Sequence, residues 1–235
     1  MKKKGFTLAE VLITLVIIGI IAAITIPIVM QNQEKAKLYS QFRKTYSTLN
    51  QAMNMSIALG TFPSGFDFQS LEGSKAKTQE FLDNYIKPYV RIIEVQPCFG
   101  METTNPMIKN LAGGNFANAC ALQSALSASD ALILQDGSIV AVLGSFGEKY
   151  AAELVIDVNG AKGPNTIGRD IHIVRYIAKG DKPKITGNAY RFNELTGDFT
   201  LNESYYKDGC DPKKSSGTPG DTCADRLLKE GKMNY

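Results

Sequence analysis

The hydrophobic pattern of this chain changes twice along its length. Residues 11–30 are almost continuously Val, Leu, Ile and Ala, and no charged residue falls between Val11 and Gln33. At about 1.5 Å per residue this run makes a helix of roughly 30 Å, the thickness of a bilayer core. Gly19 and Pro27 interrupt it, and both residues are tolerated in membrane helices, where neighbouring groups satisfy the freed backbone. From Leu38 the pattern becomes one-sided: Leu38, Phe42, Tyr46, Leu49, Met53 and Ile57 recur every three or four residues, with Glu34, Lys35, Lys37, Arg43 and Lys44 beside them. That spacing predicts a helix that buries one face and stops at Gly60.

Beyond Gly60 the signals are shorter. Residues 60–73 read as a loop. Phe81, Leu82, Tyr85 and Ile86 lie at helical spacing, and Pro88 ends that segment. Strands are predicted over residues 131–134, 137–143, 153–158 and 170–176, with Asp136-Gly137 as a turn. They form an antiparallel sheet whose apolar face receives the Leu38–Ile57 stripe, so the expected fold is α+β: a long N-terminal helix on a sheet-based head. Residues 179–187 read as turn-rich. His172, between Ile171 and Ile173, is expected at the exposed position of an alternating strand. The expected organisation is a leader over 1–5, a helix over 6–59 and a head over 60–235.

Composition narrows the function. Of the 235 residues, 44% are apolar and 21% charged, which is ordinary for a folded protein and does not suggest disorder or a polytopic membrane protein. There are 26 basic and 23 acidic residues, so Lys2, Lys3 and Lys4 account for the whole +3 charge. Such balance is no electrostatic footprint for a nucleic-acid partner. The four cysteines, Cys98, Cys120, Cys210 and Cys223, include no CxxC, and the one histidine cannot complete a zinc site without distant thiolates. Two structural disulfides fit an exported segment. The sequence does not decide their connectivity. A bridge between Cys98 and Cys120 would order the Gly- and Asn-rich residues 110–118, and one between Cys210 and Cys223 would clip a polar loop.

Lys2–Lys4 precede the apolar run and hold that end in the cytoplasm, with everything after Met30 exported. The run is longer than a secretory signal, and residues 26–31 (IPIVMQ) are no small-residue cleavage site. A polar step stands at the front instead: Gly5-Phe6-Thr7-Leu8-Ala9-Glu10 sets a carboxylate just inside the apolar run. A lysine-rich leader, GFTLAE and a long apolar helix together resemble the class III signal of type IV pilins and of the pseudopilins of type II secretion.

That resemblance implies cleavage after Gly5 by a membrane-embedded prepilin peptidase, N-methylation of the new terminus Phe6, and polymerisation with identical or related subunits on an inner-membrane platform. It gives Glu10 a role. A carboxylate near hydrocarbon costs a few kcal/mol unless it is paired, and in this family it neutralises the terminal amine of a neighbouring subunit. The simpler reading is that Glu10 snorkels at the membrane surface. The resemblance also implies loosening of the helix near Pro27, a disulfide-bounded C-terminal region, and calcium in a loop near the sheet. Here Asp157, Asn159 and Asp170 would offer the oxygens. The alternative is an Asn-Gly turn within a hairpin connection.

An enzyme or a binding module tethered by the helix is the competing class. The sequence has no G-x-S-x-G, Walker A or H-E-x-x-H motif and no second histidine for a triad. A tethered domain explains neither Glu10 nor the five-residue leader.

Overall fold

The computed structural model describes Gly5 and residues 7–62, 65–98, 107–160, 162–179, 183–214 and 218–235. It consists of two compact units, Met1–Lys37 and Leu38–Tyr235.

The first unit contains the start of α1 (Leu8–Ala58), which is long and apolar enough to cross a membrane. Its hydroxyls are satisfied within the helix: Thr14 Oγ1 donates to the Val11 carbonyl at 2.9 Å and Thr25 Oγ1 to that of Ile21 at 2.9 Å. These polar side chains therefore need no solvent partner. Pro27 lies inside the helix and has no N–H to give the Ala23 carbonyl.

In the second unit, residues 38–58 of α1 bury Leu38, Phe42, Thr45, Leu49, Ala52, Met53 and Ser56. The predicted stripe holds, with Tyr46 half-buried beside the buried Thr45, except at its end, where Ile57 is 39% exposed and Ser56 is buried in its place. Eighteen residues make about five turns, so position 56, not 57, stands directly over Leu38. Ser56 Oγ donates to the Met53 carbonyl at 2.8 Å, which satisfies the buried hydroxyl. The helix then closes at Gly60, whose φ of 68° is the left-handed conformation that lets Thr61 N–H reach back to the Ser56 carbonyl at 2.9 Å.

The stripe packs on a six-stranded antiparallel sheet of order β1-β4-β5-β6-β7-β8: β1 (Ile92–Gln96), β4 (Ala131–Leu134), β5 (Ile139–Gly144), β6 (Ala151–Asp157), β7 (Ile171–Ile177) and β8 (Lys184–Gly187). β4 to β7 fall close to the predicted strands. β8 forms where turns were expected, paired along its length with β7. α2 (Lys75–Tyr85) adds Phe81 and Leu82 to the same layer, and Phe81 meets Tyr176 edge-on at 5.4 Å between ring centroids.

The opposite face of the sheet is covered too. The hairpin of β2 (Met107–Lys109) and β3 (Asn115–Asn118), followed by α3 (Ala119–Ala125), sets Ile108 and Ala119 over Ala141, Val155 and Ile171. The Cys98–Cys120 bridge ties this cover to the end of β1. A second hairpin, β9 (Tyr190–Asn193) with β10 (Asp198–Leu201), leads to α4 (Glu203–Asp208) and α5 (Cys223–Glu230), which Cys210–Cys223 joins. Gly168 and Gly220 allow two loops to meet over this bridge: a Cβ at Gly168 would lie 2.9 Å from Cys223 Sγ.

Candidate functional site

Helix α1 starts at Leu8, with Thr7 immediately before it and Gly5 exposed in non-helical backbone. Phe6 and Lys2–Lys4 lie outside the described residues. Glu10 Oε2 accepts from the Thr7 N–H at 2.8 Å and from Thr7 Oγ1 at 2.8 Å, while Thr7 Oγ1 accepts from the Glu10 N–H at 3.3 Å. This reciprocal pair is a capping box, which satisfies donors that a helix start leaves open and puts a negative charge at the positive end of the helix dipole. The carboxylate is thus turned back toward Thr7, ahead of the first turn.

The three residues expected to offer oxygens to calcium do lie together, from the last residue of β6, Asp157, to the residue before β7, Asp170. Asp157 Oδ1 accepts from the N–H groups of Asn159 at 3.1 Å and Gly160 at 2.9 Å. Asp170 accepts from Asn165 and Thr166, one on each oxygen, both at 2.7 Å. Asn159 donates its Nδ2 to the Gly163 carbonyl at 3.2 Å. Burial raises the affinity of both carboxyls for protons, and Asp170 raises that of Asp157 further. Among the described residues no three His, Cys, Asp or Glu side chains converge as a metal site. A hard cation wants six or more free oxygens. These side chains form a turn network in which the two carboxylates accept from four backbone N–H groups.

His172 is fully buried, not exposed as the strand alternation suggested. Both faces of β7 are covered, so alternation no longer separates inside from outside. Its ring lies 4.7 Å from that of Phe42, and Nε2 lies 3.0 Å from the Arg169 carbonyl, which makes Nε2 the protonated nitrogen. Burial pushes its pKa down to about 4.

A buried charge cluster lies on the far face. Glu153 and Arg175 are direct cross-strand neighbours on β6 and β7. Arg175 Nη2 lies 2.5 Å from Glu153 Oε1, Nη1 lies 2.7 Å from Glu148 Oε1, and Nε donates to Asn188 Oδ1 at 2.9 Å. Arg191, stacked over Tyr205, also faces Glu148 at 3.8 Å, and Tyr205 donates its hydroxyl to Asp221. Burial pushes Asp221 up to about 6 and Asp225 up to about 7. The cluster ends a cavity of about 300 Å³ whose remaining walls include Leu122, Leu126, Ala141, Leu143, Val155 and Ile173.

The start of α1 is a feature that known proteins share. A family model described as the prokaryotic N-terminal methylation motif matches residues 1–26. The chain is prepilin-like at its N-terminus. Type II secretion system core protein G of Escherichia coli is 31% identical over 78 residues, which is 26% of this chain and 54% of that protein. The fimbrial protein EcpB of Eikenella corrodens is 36% identical over 81 residues, 34% of this chain and 50% of that protein. The chain spans about half the length of these curated relatives. No solved structure matches. The pilin-like reading thus joins the motif to the α+β architecture of a long N-terminal helix and an antiparallel sheet.

Two parts of this pilin-like chain escaped sequence reasoning. Thr7 was read only as part of the motif, although T-x-x-E ahead of an apolar run is itself a capping-box signal. The Glu153–Arg175 cluster had no local signal, since its members come from three strands, three loops and a helix.

Proposed function

We propose that this chain is the precursor of a structural subunit of a type IV pilus-like filament, either a pilin or a secretion pseudopilin, and not an enzyme. What carries the reading is the sequence motif Gly5-Phe6-Thr7-Leu8-Ala9-Glu10 leading into a membrane-competent helix with Glu10 in its first turn. In this reading the precursor crosses the bacterial inner membrane once, with Lys2–Lys4 inside and the head in the periplasm. Prepilin peptidase cuts after Gly5, and Phe6 becomes a methylated terminus carrying a positive amine.

The Thr7–Glu10 box supports a specific assembly step. It holds the carboxylate at the level of the chain end, where an incoming amine exchanges places with the Thr7 hydroxyl. A charge-assisted hydrogen bond is stronger than a neutral one, and more so away from water. The pair fixes the axial register between subunits, and the inner-membrane platform supplies the docking. The two relatives, by name a secretion core protein and a fimbrial protein, fit the same subunit role.

Intact mass and N-terminal sequencing of protein from native membranes test this. A chain starting at methylated Phe6 is expected. A chain still starting at Met1 in cells with active prepilin peptidase would replace the reading with a tethered domain.

A further inference from the structure

The cavity on the far face of the sheet is no part of a filament subunit's helix-to-helix assembly, and its construction is that of a binding site. About 300 Å³ is the lower end of the range for small-molecule pockets. Its walls are apolar, and its polar groups gather at one end: Glu153, Arg175, Asn188 and Asp221 all line it and are all at least nine-tenths buried. Phe116 and Phe146 also line it, yet they are 42% and 48% exposed, which places them at the mouth. Phe146 is held at a φ of 48°, a left-handed conformation that is uncommon for a bulky residue and recurs at ligand clamps.

The charge balance at the polar end indicates what the pocket takes. Three carboxylates, Glu148, Glu153 and Asp221, share two guanidiniums, Arg175 and Arg191. Arg175 is already engaged by Glu148, Glu153 and Asn188, and Arg191 donates to the Asn188 carbonyl as well as facing Glu148. An added anion would meet uncompensated negative charge, whereas an added cation relieves it. We propose that this cavity binds a small amphipathic amine, its apolar body against Leu122, Leu126 and Ile173 and its ammonium at the Glu153–Asp221 end. The ligand enters past Phe116 and Phe146. The site does not depend on the subunit reading, because all of its residues lie within the Leu38–Tyr235 unit.

Phenethylamine, 3-phenylpropionate and 2-phenylethanol share one apolar body and differ in head charge. Each is titrated by calorimetry into the full chain in lipid nanodiscs, with empty nanodiscs as the blank. Saturable binding of the amine is expected, at least tenfold tighter than that of the acid or the alcohol. Leu122→Trp, which fills the cavity from its cover, is expected to abolish it, and Asp221→Asn to weaken it at least tenfold. Leu126→Trp replaces Leu122→Trp if that variant loses its native circular dichroism. The proposal is overturned by absence of saturable amine binding, by acid or alcohol affinity within tenfold of the amine, or by unchanged amine binding in the filled variant.

Discussion

Glu153 and Arg175 stand opposite each other in the centre of the sheet, 2.5 Å apart and 4% and 1% exposed, on the face turned away from the long helix. Taking two charges out of water is costly, and the cost is recovered only while each has its partners. Arg175 has three, Glu148, Glu153 and Asn188. Arg175→Met is therefore expected to cost about 3–5 kcal/mol, because it leaves two carboxylates uncompensated. Adding Glu153→Leu should recover part of that loss. Denaturant unfolding of the single and double variants measures both.

Glu10 and Thr7 separate capping from assembly. Glu10→Ala removes the carboxylate from both roles, and the variant should still be cleaved after Gly5 but be largely absent from sheared filaments. Thr7→Val removes only the hydroxyl that accepts from the Glu10 N–H and donates to its carboxylate. It should enter filaments normally, since the amine pair does not need that hydroxyl. Immunoblots of membrane and filament fractions distinguish the two; equal loss in both variants would make the helix cap, and not the subunit pair, the role of Glu10.

His172 gives a pH signature that no other residue can imitate, being the one histidine of the chain. Its folded pKa of about 4 lies below the ordinary histidine value of 6.5, so between these values the unfolded chain binds a proton that the folded chain refuses. Its contribution is complete above about pH 6.5 and is lost as the pH falls toward 4. Asp221 and Asp225, raised to about 6 and about 7, act in the opposite sense and lose stability as the pH rises through those values. The total stability profile hence mixes the two, and the imidazole resonance is the clean reporter. It should stay unshifted from pH 8 to about 5.5, with a midpoint near 4.

Calcium should have little effect on the Asp157–Asp170 turn network. Binding would have to replace four backbone hydrogen bonds to the two carboxylates. Millimolar calcium is expected to leave the melting temperature of the full chain unchanged, and a rise that grows with calcium concentration would show binding to the folded state.

The long helix was legible because its signals are local. An uncharged run of membrane length and an amphipathic stripe are properties of consecutive residues, and so is the GFTLAE motif ahead of them. Strands β4 to β7 were also legible, through β-branched runs broken by turns such as Asp136-Gly137. β8 was missed because four residues, Lys184–Gly187, carry too little pattern, and their pairing with β7 makes them a strand. His172 was misplaced for the opposite reason: alternation on β7 was visible, but Ile171 and Ile173 face the cover made by the β2–β3 hairpin and α3, and His172 lies on the other face, against Phe42 of the long helix.

The sequence by itself determined the prepilin-like N-terminus, the apolar run and the α+β class, since each depends on residue type and spacing along one segment. The tertiary structure decided which cysteines join, where the six-stranded sheet buries its histidine, and that Glu148, Glu153, Arg175, Arg191 and Asp221 meet at the end of one cavity. The charge cluster alone joins residues 73 positions apart, Glu148 and Asp221, and only the pairing of strands and the closing of loops, driven by burial of apolar surface, sets them together.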